Sequence, residues 1–244
     1  MITFTGSQAT GKAILTEAGK GLKRVVLELG GKDALIVLDD ADIEAAASFA
    51  ARNSFRNAGQ VCVSTEKIYV DKSVEKEFME AFIAKTKEMQ IGAMVHRRQK
   101  DHVIGQVKEA LGKGAEIAYG ELAESDDNVF NPMILVNVNE DMNIMQDETF
   151  GPVACVQTVD NDDDAIRMAN LGDFGLGGAV FSKDTSRAHN IAKGVKTGMI
   201  GINRGPGGAK GSPWVGARGS GYGFHGSAAG HRQLTQIRII SEPK

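Results

Sequence analysis

Residues 24–38 read Arg24-Val25-Val26-Leu27-Glu28-Leu29-Gly30-Gly31-Lys32-Asp33-Ala34-Leu35-Ile36-Val37-Leu38. Two aliphatic, β-branched runs, Arg24–Leu29 and Ala34–Leu38, are separated by Gly-Gly-Lys-Asp, and both read as strands. Upstream, Ile2–Thr5 is a strand and Gly11–Lys20 a helix with Ala13, Ile14 and Ala18 on one face. Downstream, Asp42–Phe55 is helical, with Ile43, Ala46, Ala47, Ala50 and Ser54 at 3–4 spacing. Strand-like segments follow at Lys67–Val70, Ala115–Tyr119, Met133–Val138, Val153–Val159, Leu176–Phe181 and Gly198–Ile202. Helical ones lie at Val74–Met89, Lys100–Gly112, Asp163–Asn170 and Thr185–Lys193. This β-α alternation predicts an α/β fold with a mainly parallel sheet. The tail Leu234–Ile240 alternates and reads as a final strand that pairs with something else. A chain that leads from Met1 straight into a strand suggests that an upstream segment is missing.

The 244 residues fill one large domain or two small ones and can bury a substantial core. Basic and acidic side chains number 28 and 31, a net charge of −3, which gives no reason to expect nucleic acid or an anionic membrane as partner. Two cysteines, Cys62 and Cys155, argue against a disulfide framework and for a reducing cytoplasm. No apolar run is long enough for a membrane span, and no signal peptide is visible. One stretch differs in composition: Gly198–Gly230 holds 12 of the 30 glycines. Pro213-Trp214, Tyr222, Phe224 and His225 within it argue for an ordered loop against a ligand or another subunit rather than a flexible linker.

Gly6-Ser7-Gln8-Ala9-Thr10-Gly11-Lys12 resembles a phosphate-binding loop, but Ala13 stands where Ser or Thr would hold magnesium. What survives is a strand, a Gly-Ser turn and a helix N-terminus able to face an anion, or an ordinary βα turn capped by Ser7 or Thr5. Asp160, Asp162 and Asp164 begin like a calcium loop; Ala165 and Leu171, where Gly and Glu are required, leave an acidic helix N-terminus. The histidines show no metal spacing, so no metal site is assigned. Cys155 lies in an apolar strand and reads as a small buried hydrophobe. Cys62 follows a helix and Asn57-Ala58-Gly59-Gln60, where the backbone must turn. With Glu28 it forms a candidate thiol–carboxylate pair, the minimum for making and hydrolysing a thioester.

Taken in order, these segments resemble the aldehyde dehydrogenase superfamily from residue 2 to the C-terminus. Phe4-Thr5-Gly6-Ser7 is similar to its cofactor-phosphate turn, Leu27–Lys32 to its general-base motif, and Gly59-Gln60-Val61-Cys62 to its nucleophile motif. Glu148-Thr149-Phe150-Gly151-Pro152-Val153 is similar to the segment that grips the nicotinamide ribose. Pro213–Gly223 is similar to its late Gly-rich loop. The resemblance implies Cys62 as nucleophile and Glu28 as base. It implies NAD or NADP as cofactor, with Gly6, Ser7, Leu29, Gly30, Glu148 and Phe150 around it, and a small aldehyde as substrate. The oxyanion would be held by the Cys62 backbone N–H and an asparagine amide. The implied fold is a catalytic domain at 31–223, a remnant of a Rossmann-like cofactor domain at 1–30, and a tail at 224–244 with an oligomerisation strand.

The family chain is about twice as long, and its N-terminal half carries most of the cofactor sheet, the lysine at the adenosine ribose and the asparagine. The resemblance therefore implies weak cofactor binding, and a homo-oligomer or a complementing N-terminal half. The Gly-rich loop has Trp214, Val215 and Arg218 where Phe, Gly and Lys are commoner. Two further readings stay open: a cofactor-independent thiol esterase built on Cys62 and Glu28, and a catalytically silent fragment that assembles with a partner.

Overall fold

The computed structural model describes residues 1–122 and 127–243. In chain order its first elements are β1 (Ile2–Thr5), α1 (Gln8–Lys20), β2 (Val25–Glu28), β3 (Asp33–Val37), α2 (Ile43–Phe55), β4 (Thr65–Asp71), α3 (Glu75–Lys87) and α4 (Arg97–Gly112). There follow β5 (Glu116–Tyr119), β6 (Met133–Val136), α5 (Asn143–Gln146), β7 (Val153–Val159), α6 (Asp162–Ala169), β8 (Gly178–Phe181) and α7 (Thr185–Gly194). Three two-residue strands, β9 (Gly201–Ile202), β10 (Trp214–Val215) and β11 (Gly221–Tyr222), precede β12 (Phe224–His225) and α8 (Ala228–Gln233).

The two runs that open the sequence reading enter different sheets. β3 is an interior strand of a seven-stranded sheet ordered β5-β6-β7-β4-β3-β8-β9, parallel except for β5. Its side chains alternate between two cores: Leu35 and Val37 pack with α2 and α3, and Ala34, Ile36 and Leu38 with α6 and α7. Both faces of the sheet are therefore covered, which explains a continuous apolar run where a half-solvated strand would alternate. β2 instead pairs in parallel with β1 and antiparallel with β11, a three-stranded sheet over a small core of Ala18, Val25, Leu27 and Leu29. The carboxyl ends of β1 and β2 line one cleft together with the segments that lead into β4 and β7 and the start of α4.

Several boundaries move for identifiable reasons. α1 starts at Gln8 because the Ser7 hydroxyl accepts from Thr10 N, and α4 starts at Arg97 because His96 Nδ1 accepts from Gln99 N. β6 stops at Val136, where Asn137 turns to φ 54°. β4 begins at Thr65, two residues earlier than its apolar pattern indicates, so that Glu66 and Lys67 lie inside a buried strand. Asp162, Asp163 and Asp164 form the first turn of α6. The tail 234–240 is not a strand: it has no ladder partner among the described residues, and Ile237, Ile239 and Ile240 are 79, 84 and 80 % exposed. A strand needs a neighbour for its N–H and C=O groups, and alternation alone supplies none.

Candidate active site

Cys62 owes its position to an unusual turn. After α2 the backbone passes through three successive left-handed residues, Asn57 (φ 54°), Ala58 (φ 55°) and Gly59 (φ 69°). At Gly59 a Cβ would stand 2.1 Å from the Gly151 carbonyl oxygen, so only glycine fits. The turn is tied by Asn57 Nδ2 donating to Gln60 O (3.0 Å) and Gln60 Nε2 to Asn57 O (3.0 Å). Beneath it, Asn53 Nδ2 donates to Val63 O (3.0 Å) and Ser54 Oγ to Thr65 O (2.7 Å). The half-buried Cys62 thus sits on a rigid corner at the amino end of β4.

Glu28 ends β2 and is 8 % exposed. Its carboxylate accepts from the Trp214 indole Nε1 at 3.3 Å. Burial pushes the Cys62 thiol up to about 12, and the charge of Glu28 and its hydrogen bonding to the thiol push the same way. Asp33, at the start of β3, adds to this. Burial holds its own carboxyl well above the usual range, although Oδ1 accepts from Gly177 N at 2.9 Å. Asp33 Oδ2 has no hydrogen-bond partner among the described residues.

Glu148 lies against the backbone of the Gly-Gly turn. Its Oε1 accepts from Gly31 N at 3.0 Å, and a Cβ on Gly30 would stand 2.2 Å from its Oε2. The glycine there admits the carboxylate itself. Burial, and then the nearby Glu66, raise Glu148 to about 7. Phe150 follows with φ 49°, and the strained segment is held from two sides. Glu66 accepts from Thr149 N and Phe150 N, both at 2.9 Å, and from Lys32 Nζ at 2.5 Å. Gln99 Nε2 donates to Thr149 O (3.0 Å) and Phe150 O (3.2 Å). The Lys32–Glu66 pair has both side chains 2 % exposed, which gives Lys32 a structural task.

One cleft of about 830 Å³ collects all the residues singled out from the sequence: Gly6, Ser7, Glu28, Leu29, Gly30, Cys62, Glu148 and Phe150. Its rim also carries His96, Arg98 and His102 at the start of α4, which the sequence reading did not assign. Glu66 escaped notice as well, though a Glu-Lys pair just before an apolar strand was a usable signal. Trp214 enters the sequence reading as a mark of an ordered loop and as a departure from the family pattern, without a role at Glu28. The loop is ordered: Arg218 Nη1 donates to Asn170 O (3.1 Å) and Phe174 O (3.0 Å), and Ser220 Oγ accepts from Gly175 N at 2.9 Å. Cys155, 1 % exposed within β7, is the buried hydrophobe its apolar neighbours indicated. Among the described residues, no group of three or more His, Cys, Asp or Glu could hold a metal, and no helix is long and apolar enough to cross a membrane.

The chain is similar in sequence and fold to known proteins. The chain is 37 % identical over 252 residues to the salicylaldehyde dehydrogenase of Pseudomonas sp. (strain C18), covering 98 % of this chain and 52 % of that one. The lactaldehyde dehydrogenase of Escherichia coli superposes with a TM-score of 0.93 at 32 % identity, over 98 % of this chain and 53 % of that one. A betaine aldehyde dehydrogenase of Staphylococcus aureus, solved in complex with NAD+, superposes at 0.89 and 32 % identity, over 95 % of this chain and 49 % of that one. The chain thus spans about half the length of the curated relatives it matches. A family model describing aldehyde dehydrogenases matches residues 1–240, and the chain belongs to the aldehyde dehydrogenase family.

Proposed function

We propose that this chain carries the thioester half of an NAD(P)-dependent aldehyde oxidation, with Cys62 as nucleophile and Glu28 as base. The observation that supports it most is that Cys62 and Glu28, borne by separate sheets, line one cleft and interact strongly enough for Glu28 to raise the thiol. The thiolate is the attacking form, and the Glu28 carboxylate beside it is placed to deprotonate the water that follows. Cys62 loses its proton to solvent through the cleft and attacks the aldehyde carbon as thiolate, and its backbone N–H faces the resulting oxyanion. The nicotinamide cofactor supplies the hydride acceptor when bound. Water then attacks the thioester carbon, Glu28 takes its proton, the C–S bond breaks and the carboxylate leaves.

The residues present suit the nicotinamide riboside end of that cofactor. Glu148 offers a carboxylate to ribose hydroxyls, Phe150 an aromatic wall, and Gly30 the space for close approach. Gly6 and Ser7 stand at the N-terminus of α1, where the helix dipole favours a phosphate. Affinity for NAD or NADP is weak in the absence of a further half. In this reading residues 1–30 belong to the cofactor domain, 31–223 to the catalytic domain, and 224–244 to a tail that joins a second subunit. The separation of β1 and β2 from the seven-stranded sheet supports the first boundary, although β11 crosses over to pair with β2, and the exposed Ile237, Ile239 and Ile240 support the role of the tail. The two free thiols suit the cytoplasm.

The test is NAD(P) reduction over a panel of small aldehydes, with Cys62→Ala as control. Turnover that depends on Cys62, alone or after addition of a complementing N-terminal half, is the expected result. Absence of such turnover in both settings overturns the proposal.

A further inference from the structure

The Gly-rich loop places the chain's single tryptophan against the Glu28 carboxylate. Trp214 is fixed by its backbone as well as its ring. β10 and β12 pair Trp214 with His225 and Val215 with Phe224, and Gly207, at φ +77°, lies under the ring, where a Cβ would be 3.2 Å from it. The indole packs in the small cluster of Val63, Leu176 and Met199 that also takes in Val61 and Cys62. One side chain therefore touches the surroundings of the thiol and donates to the carboxylate.

We infer that Trp214 is a positioning residue whose indole N–H keeps the Glu28 carboxylate turned toward the Cys62 thiol. The inference rests on the reading of Cys62 and Glu28 as nucleophile and base. At 3.3 Å the bond is longer than the ~2.7–2.9 Å usual for an ionised partner. It restrains the carboxylate without locking it. That suits a base which lies beside the thiol and must reach a water at the thioester carbon. The phenylalanine commoner at this position in the family fills similar space but has no N–H to donate.

The experiment is alkylation of Cys62 by iodoacetamide from pH 7 to 10, read by peptide mass spectrometry, with the Cys155 peptide as internal reference. It needs no aldehyde and no cofactor. Four proteins are compared: wild type, Trp214→Phe, Glu28→Gln and the double variant. Glu28→Gln removes the negative neighbour, lowers the thiol pKa and speeds alkylation at a fixed pH. Trp214→Phe frees the carboxylate to turn away, and its effect goes the same way, by up to about tenfold, one pKa unit. In the Glu28→Gln background Trp214→Phe adds nothing, because the group it positions is no longer charged. Because Trp214 is the only tryptophan, replacing it with 3-benzothienylalanine exchanges N–H for S at nearly constant shape, and the same shift is expected.

If both replacements leave the profile unchanged while Glu28→Gln shifts it, the role of Trp214 is overturned and the Glu28–Cys62 pair stands. Equal shifts in both backgrounds also overturn it, since packing alone would act that way. A profile unmoved by Glu28→Gln removes the pair itself, and this inference with it.

Discussion

The two cysteines present nearly the same acidity and opposite prospects. Burial pushes each thiol up to about 12. Around Cys155 the burial is complete: it lies in β7 with Leu135 and Lys67 at the same level of the neighbouring strands, and Lys32 acts to lower it. Cys62 stands on a left-handed turn, half-buried, with a cleft before it and Glu28 as the main charge acting on it. Acidity does not mark out a nucleophile here. Access to a ligand and a base within reach do.

The sharpest way to break the comparison is to remove each thiol. Cys62→Ala is expected to lower kcat for aldehyde oxidation by at least about a thousandfold, as loss of a covalent nucleophile does, while Cys155→Ala leaves it within about twofold. Equal losses would place the chemistry elsewhere. The next effect concerns the Lys32–Glu66 pair, whose charges act on Cys155. Glu66→Ala strands a buried ammonium and frees the Thr149–Phe150 backbone. A loss of about 3–5 kcal/mol in urea unfolding is expected.

A pH series separates the cleft from the interior. Glu148 is held at about 7 in the folded chain against an ordinary 4.5. The folded state keeps its proton more tightly than the unfolded state, so this stabilisation is full below about pH 4.5 and is lost as pH rises through 7. Glu148→Gln flattens that slope, worth at most roughly 3 kcal/mol, in urea melts at pH 5 and pH 8. The smallest effect is the stability of Cys155→Ala, a loss of about 1–2 kcal/mol for a small cavity in a packed strand.

How much of this the sequence disclosed depended on the physics of each element. The runs around Gly30-Gly31 were legible because strands covered on both faces are continuously apolar, and the corner at Asn57–Gly59 because left-handed backbone favours Asn and Gly. Glu66 was not, because a charged residue in a buried strand looks like a strand end until its three partners are known. Trp214 was visible as a departure from the family pattern, but the donor–acceptor pair joins residues from the two ends of the chain and leaves no local trace. Leu234–Ile240 misled for the converse reason: its alternation is real, but no strand among the described residues pairs with it.

The Gly30-Gly31 turn joins two units of unequal strength. Glu28 belongs to the sheet over the small core of Ala18, Val25, Leu27 and Leu29, and Cys62 to the sheet with the large ones. A unit with less buried apolar surface opens at lower free energy, so thermal or chemical stress separates base from thiol while the seven-stranded sheet is still intact. A molecule lodged in the cleft touches both units at once and by mass action favours their closed arrangement. Occupancy of the cleft and integrity of the smaller sheet are thereby two readings of one equilibrium.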